Sequence, residues 1–208
     1  MLTLYSMSET SALAVHIALE WAEFSYQVKV LAGGDNNRLE YLQVSPLGKV
    51  PAAIFDDGKV LTETTALLTY VDAQRPEYFP LPARDNFGRA KLLETLSFYA
   101  TELHGAFAPY FWPARFHPDQ DEHAVLQAVG CERLLRLFDL TDDHFTGPYV
   151  FGPCRSVADP YLYVLTRWLS RTSLGLDNFP LLSAFKANMD MDEGVRRVLS
   201  AYKRQRPD

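Results

Sequence analysis

Two short motifs carry residue types that can seat a charged, peptide-like small molecule. Val50-Pro51 follows Gly48-Lys49 and opens a strand pattern. A proline lacking its N–H is tolerated there, and a cis bond at that point would make a tight turn. Such a turn exposes the backbone groups of Val50, which can pair with an extended peptide as a neighbouring strand would. Taken alone, the pair reads more readily as an ordinary strand-entry proline. Further along, Glu63-Thr64-Thr65 ends a strand and starts a helix. Its N–H groups and hydroxyls can hold a carboxylate while Glu63 pairs with an ammonium, a combination that fits an amino-acid head group. A simple threonine cap is the plainer reading of that turn, and the pairing of the two motifs favours the ligand seat.

The elements that must position these motifs alternate in the first eighty or so residues, which argues for an α/β unit. Leu2-Thr3-Leu4-Tyr5 reads as a strand, and Leu13, Ile17 and Trp21 then recur on one helical face. Residues 25–31 form a second strand, and a short helix is expected over residues 38–43 before Pro46-Leu47-Gly48. Two strands, residues 52–55 and 60–62, flank Asp56-Asp57-Gly58-Lys59, a strong hairpin signal, and a helix covers residues 64–74. The order is thioredoxin-like: a parallel pair at the front and a hairpin at the back.

Arg75-Pro76 and Phe79-Pro80-Leu81-Pro82 end that unit, since such proline density favours an extended linker. We therefore expect an N-terminal domain of residues 1–79, a linker of residues 80–86 and an all-helical domain of residues 87–208. A long helix over residues 87–110 should end or kink at Pro109 and Pro113. A second should begin at a capping box, Asp119-x-x-Glu122, and turn Val125, Val129, Leu134, Leu135 and Phe138 to the core. Ser156-Val157-Ala158-Asp159 reads as another cap, ahead of a buried helix over residues 160–168. Shorter helices over residues 181–189 and 193–203 complete the domain.

The chain has 208 residues and a net charge of −6 from 26 acids and 20 bases spread along it, so no broad basic face is available for nucleic acid. Lys203, Arg204 and Arg206 read as a solvated helix end. No run approaches the ~20 apolar residues of a membrane span, and a cytoplasmic location is expected. Cys131 and Cys154 lack Cys-x-x-Cys spacing and read as reduced thiols, with neither a disulfide framework nor a zinc site implied.

Leu47-Gly48-Lys49-Val50-Pro51, then Leu61-Thr62-Glu63-Thr64, then Ser156-Val157-Ala158-Asp159, resemble a cytosolic glutathione transferase over nearly the whole chain. His16-Ile17-Ala18-Leu19-Glu20 and Ala100-Thr101-Glu102-Leu103-His104 are most similar to the bacterial beta class. The resemblance implies a thioredoxin-like domain followed by a helical bundle, acting as a homodimer on glutathione and a small, apolar electrophile, with no metal. It implies that Val50 pairs with the cysteinyl backbone, that Glu63 and Thr64 hold the γ-glutamyl group, and that Lys49 reaches the glycyl carboxylate. Ser97 and His104, two turns apart, would face the site of a second subunit, although Gly105 stands where relatives often carry lysine. A buried, satisfied histidine is the alternative for His104, and His16 reads as a packing or capping residue.

In this family the loop after the first strand, Ser6-Met7-Ser8-Glu9-Thr10-Ser11, activates the glutathione sulfur. Ser11 falls at the place of the beta-class cysteine, which argues for a hydroxyl donor to a thiolate and against mixed-disulfide chemistry. Thr10, Ser8 and Tyr5 are competing donors, and Glu9 places a negative charge where a thiolate would form. Phe107, Tyr110, Phe111, Trp112 and Trp168 are the aromatics available for an electrophile pocket, with core packing as their plainer reading. A non-catalytic binding or regulatory role, as in the stringent-starvation proteins, is the alternative function.

Overall fold

Strand alternation sets the first element of the computed structural model, which describes residues 1–203. In β1 (Leu2–Ser6), Leu2, Leu4 and Ser6 turn inward and Thr3 and Tyr5 face the opposite side. β2 (Tyr26–Val30) lies parallel to β1, while β3 (Ala52–Phe55) and β4 (Val60–Thr62) add antiparallel, giving the order β2-β1-β3-β4. The hairpin between β3 and β4 turns at Gly58, whose φ of 80° suits a residue without a Cβ.

α1 (Ala12–Trp21) shows why one apolar stripe was too narrow an expectation. Every residue except Glu20 is buried, because the helix lies between α3 (Thr64–Gln74) on one side and α8 (Ala158–Leu169) and α10 (Glu193–Lys203) on the other. A helix apolar all round belongs inside. One continuous core therefore runs from Leu4 and Ile17 through Leu68 to Phe107, Phe138, Leu162 and Phe185.

The linker is held in place. Arg84 donates to Asp72 Oδ1 at 3.0 Å and to the carbonyls of Pro76 and Phe79, so the extended stretch is tied to the end of α3. Asp85 then caps α4 (Asn86–Phe98) by accepting from Gly88 N–H at 2.8 Å.

The long helix expected over residues 87–110 breaks earlier than its prolines dictate. A π turn, Tyr99–Leu103, follows α4, then come two short pieces, α5 (His104–Ala106) and α6 (Ala108–Phe111). Pro109 sits in the first turn of α6, where its missing N–H is harmless, rather than ending a helix. Asp119 caps only a 3₁₀ turn through Asp121 N–H, and α7 (His123–Asp143) starts after it, so the capping box does not form. On α7, Leu134 and Phe138 are buried as expected, but Val125 and Val129 are 58% exposed and Leu135 is exposed as well. The first turns of α7 lie beyond the core, held to α6 by Gly130 against Tyr110 and by Gln127 Nε2 donating to Tyr110 O at 3.1 Å, and to the preceding loop through His123 and His117 O at 2.9 Å.

Before α8, Asp159 accepts from Ser156 N–H and Val150 N–H, both at 2.6 Å, and Ser156 Oγ accepts from Ala158 N–H at 3.2 Å. α9 (Pro180–Met191) and α10 close the bundle. Arg204, Arg206 and the side chain of Lys203 lie outside the described residues, and with them the expected basic helix end. Among the described residues no helix is long and apolar enough to cross a membrane. Cys131 is half-buried near Ser173, whereas Cys154 is exposed instead of packed.

Candidate functional site

The Val50 turn is held by the short helix before it, α2 (Leu39–Leu42), which forms within the expected residues 38–43. Tyr41 and Ser45 hydroxyls both donate to Lys49 O, at 2.7 and 2.8 Å, and Asn36 Nδ2 donates to Gly48 O at 2.9 Å. Gly48 has φ 60°, and a Cβ there would stand 2.8 Å from Asn36 O, so glycine is required. The Val50–Pro51 bond is cis. Among the described residues, the N–H and C=O of Val50 have no hydrogen-bond partner, while the Lys49 side chain stands in solvent. That leaves one free donor and one free acceptor just ahead of β3, where an extended peptide can pair with them.

Glu63 stands at the other half of the seat with φ 71° and ψ 129°, a conformation that non-glycine residues rarely adopt. Its carboxylate is exposed, and Leu67 N–H is the first on α3 to find a backbone acceptor, Glu63 O at 3.0 Å. The N–H groups of Thr64 and Thr65 precede it at the open, positive end of the helix. Thr64 itself is buried, and its hydroxyl donates to Ser11 Oγ at 2.9 Å. Thr64 thus offers a ligand its backbone, and joins the head-group turn to the loop before α1.

That hydrogen bond sorts the donor candidates. Ser11 accepts from Thr64 and keeps its own proton free, polarised by the bond it receives. Thr10 has committed its proton to Met7 O at 2.8 Å. Tyr5 packs against Tyr41, with ring centroids 5.3 Å apart, on the far face of the strand, and Ser8 is exposed in the turn. Glu9, at φ 59°, carries no unbalanced charge toward the loop: Arg167 and Arg171 approach its two carboxylate oxygens at 3.2 and 3.1 Å, and Trp168 Nε1 donates to its carbonyl at 3.2 Å.

His104 is held inside its own chain. Its Nδ1 shares a 2.9 Å hydrogen bond with Tyr161 Oη, and its ring lies edge-on to Trp168 at 4.8 Å. Burial, with a further push from the Lys49 ammonium, lowers its pKa to about 4, so the ring is neutral near pH 7. Burial also raises the Tyr161 hydroxyl, and the Glu63 carboxylate adds to the effect. The wide π turn between Ser97 and His104 breaks their two-turn stacking: Ser97 is exposed, and the histidine points inward.

Of the five aromatics, Phe107 is fully buried and stacked on Phe111, so it belongs to the core and not to a cleft wall. Trp168 is nearly as buried, with its indole N–H on Glu9, while Tyr110 and Phe111 are half-buried and Trp112 is exposed under Arg115. His16 is buried, as a packing residue would be, with Nδ1 3.2 Å from Tyr202 Oη, which also meets Ser6 Oγ at 2.6 Å.

Sequence reasoning did not single out Tyr161, Arg167, Arg171 or Tyr202. Tyr161 and Tyr202 lie far along the chain from the groups they touch, and no local pattern marks them. The arginines did leave a sign: two like charges four residues apart, one on α8 and one in the turn past its end, repel unless an acid lies between them, and here Glu9 does.

Residues 1–73 match the family model described as glutathione S-transferase, N-terminal domain. The chain is 32% identical to Glutathione S-transferase GstA of Escherichia coli O157:H7, over 83% of this chain and 81% of that protein. Among solved structures it superimposes on a Sulfitobacter glutathione transferase homologue with bound glutathione, with a TM-score of 0.88 and 32% identity over 97% of this chain and 98% of that one. A beta-class enzyme from Sphingomonas chungbukensis gives a TM-score of 0.82 and 27% identity over 96% and 98% of the two chains.

Proposed function

Because the chain belongs to the glutathione S-transferase family, we propose that it seats glutathione between Val50 and Glu63 and joins its thiolate sulfur to a small electrophile with an apolar body. One observation carries the reading. The 2.9 Å bond from Thr64 to Ser11 ties the open end of α3 to the loop before α1, and the pairing of Ala52 with Thr62 brings the unpaired backbone of Val50 to the same end of the sheet. In this site Val50 pairs with the cysteinyl backbone, and Thr64 N–H takes the γ-glutamyl carboxylate while Glu63 takes its ammonium. Lys49 reaches the glycyl carboxylate. The sulfur then lies against Ser11, which donates to the thiolate, and Thr10 holds the loop.

A free thiol titrates near 8.5, and each unit of lowering takes about 1.4 kcal/mol. The Ser11 hydroxyl together with the N–H groups at the start of α1 supplies stabilisation of that order. With an aryl chloride, the thiolate forms the new S–C bond, chloride leaves with the electron pair of the broken C–Cl bond, and the thiol proton passes to solvent. His104, neutral and held by Tyr161, is assigned to the site of its own subunit.

We assign a homodimer as the working form. α4 buries only Leu92 and Leu96, leaving Phe87 and Leu93 exposed, with Ser97 one turn beyond Leu93 on the same face. A second copy covering that face places Ser97, and not His104, at its partner.

Titration of glutathione into the protein, followed at the thiolate absorbance across pH, tests the site. Binding with the thiol pKa lowered by about one unit or more is expected. In Ser11→Ala the lowering should vanish and kcat should fall about tenfold with little change in glutathione affinity, while Thr10→Ala should keep the shift. Equal turnover in Ser11→Ala rejects the donor role. Binding with an ordinary thiol pKa points to the non-catalytic, stringent-starvation type of protein, and no binding rejects the seat.

A further inference from the structure

An open surface cleft of about 340 Å³ lies beside the loop that carries Ser11, and its lining is charged: Glu9, Arg167, Arg171 and Lys186. Its size is that of a small-molecule site, but such sites are mostly apolar and this one is not. Arg167 and Arg171 come from one face of α8 and its end, Lys186 from α9 and Glu9 from the loop before α1.

The charges do not cancel. Lys186 meets Asp190 at 2.7 Å, Asp190 accepts from Tyr163 Oη at 2.6 Å, and Arg167 contacts Tyr163 Oη and Glu9. The connected set holds three cations (Arg167, Arg171, Lys186) against two acids (Glu9, Asp190), an excess of one positive charge in a chain whose net charge is −6. Donors also remain. Arg171 uses one guanidinium nitrogen on Glu9, with its side chain 57% exposed, and Lys186 uses one ammonium proton on Asp190. Both groups can turn further N–H bonds to an anion without losing the bonds they have.

Glu9, the wall nearest the reacting centre, is two residues from Ser11, a stretch of chain that spans at most about 7 Å. We propose that this cleft is an anion subsite for the second substrate, taking a carboxylate borne on the apolar electrophile, with Arg171 and Lys186 as its ligands. The assignment rests on the glutathione-transferase reading above. Arg167, tied to Glu9 and Tyr163, positions the wall and does not contact the anion. The electrophile then spans from the sulfur beside Ser11 to the cations, with its body on the half-buried aromatics.

The test uses three probes on the full chain, by calorimetry: glutathione, its conjugate with a 4-carboxy-2,6-dinitrophenyl group, and the matching 4-carboxamide conjugate. The two conjugates have the same shape and differ in one charge. The carboxylate conjugate should bind about tenfold more tightly than the carboxamide, the size expected for a charged hydrogen-bonded contact. In Arg171→Gln with Lys186→Gln the difference should disappear while glutathione keeps its affinity. Equal affinity of the two conjugates for the parent protein overturns the subsite, as does a preference that persists in the double variant. Loss of glutathione affinity equal to the loss of conjugate affinity shows instead that the cations hold glutathione or clamp the loop. No binding of glutathione or either conjugate rejects the seat itself, and the subsite falls with it.

Discussion

Glu63 joins two demands that pull in opposite directions. Its φ of 71° is strained for any residue with a Cβ, a conformation that costs on the order of 1–3 kcal/mol. Its carboxylate stands free at the open end of α3, where an ammonium would be held. Glycine adopts such a backbone without strain but adds chain entropy in the unfolded state, roughly 0.5–1 kcal/mol. Glu63→Gly is therefore expected to raise stability by about 1 kcal/mol in urea unfolding while weakening glutathione binding at least tenfold. A variant that loses stability, or binds as before, contradicts this account. The types at Val50-Pro51 and Glu63-Thr64 were legible in the sequence because each motif sits at a strand end that the pattern fixes. The direction of each hydroxyl proton was not. Thr10 and Ser11 look alike as letters, and only the partners Met7 O and Thr64 Oγ1 separate them.

Caps and turns decide where elements begin, and here two similar sequence signals had different outcomes. Ser156-x-x-Asp159 forms its reciprocal bonds because Asp159 is fully buried and meets Val150 N–H as well. Asp119-x-x-Glu122 lies on the exposed side of the chain, where water competes for the same N–H groups, and only a 3₁₀ turn results. The π turn at Tyr99–Leu103 left no sign either, since the residues around it suit an ordinary helix. The hairpin and α3, set by local Asp-Gly geometry and a strand-helix junction, fell where the pattern put them. Removing the Asp159 carboxylate takes the acceptor from the N–H groups of Val150 and Ser156 and from the Ser156 hydroxyl. Asp159→Ala should destabilise the protein by about 3 kcal/mol, and Asp159→Asn, which keeps one acceptor, by less. Urea midpoints of the two variants check the order, and a loss below about 0.5 kcal/mol in Asp159→Ala rejects the cap as a stabilising element.

Across the whole molecule the core is continuous, with α1 enclosed by elements from both halves, so burial in one half is coupled to burial in the other. That enclosure was not readable from α1 alone, whose spacing predicts one apolar face, because the second face is covered by residues more than a hundred positions away. It also fixes how acid acts on stability. Burial lowers both His16 and His104 to about 4, against 6.5 for a free histidine. Between those values the unfolded chain binds more protons than the folded one, so stability is full above pH 6.5 and is lost as pH falls toward 4. Each shift corresponds to about 3 kcal/mol. Asp159 opposes them: burial raises it to about 6 from 3.8, so its protonation favours the folded state as pH falls through 6, by about 3 kcal/mol at most. Two histidines outweigh one carboxyl. The urea midpoint is expected to drop between pH 7.5 and 4.5 by the equivalent of about 2–4 kcal/mol, and in His16→Asn with His104→Asn the drop should become a small rise as Asp159 acts alone. A midpoint in the parent that holds steady or climbs over that range would show that the histidines are not kept neutral by the shared core, and an unchanged slope in the double variant would place the acid sensitivity elsewhere.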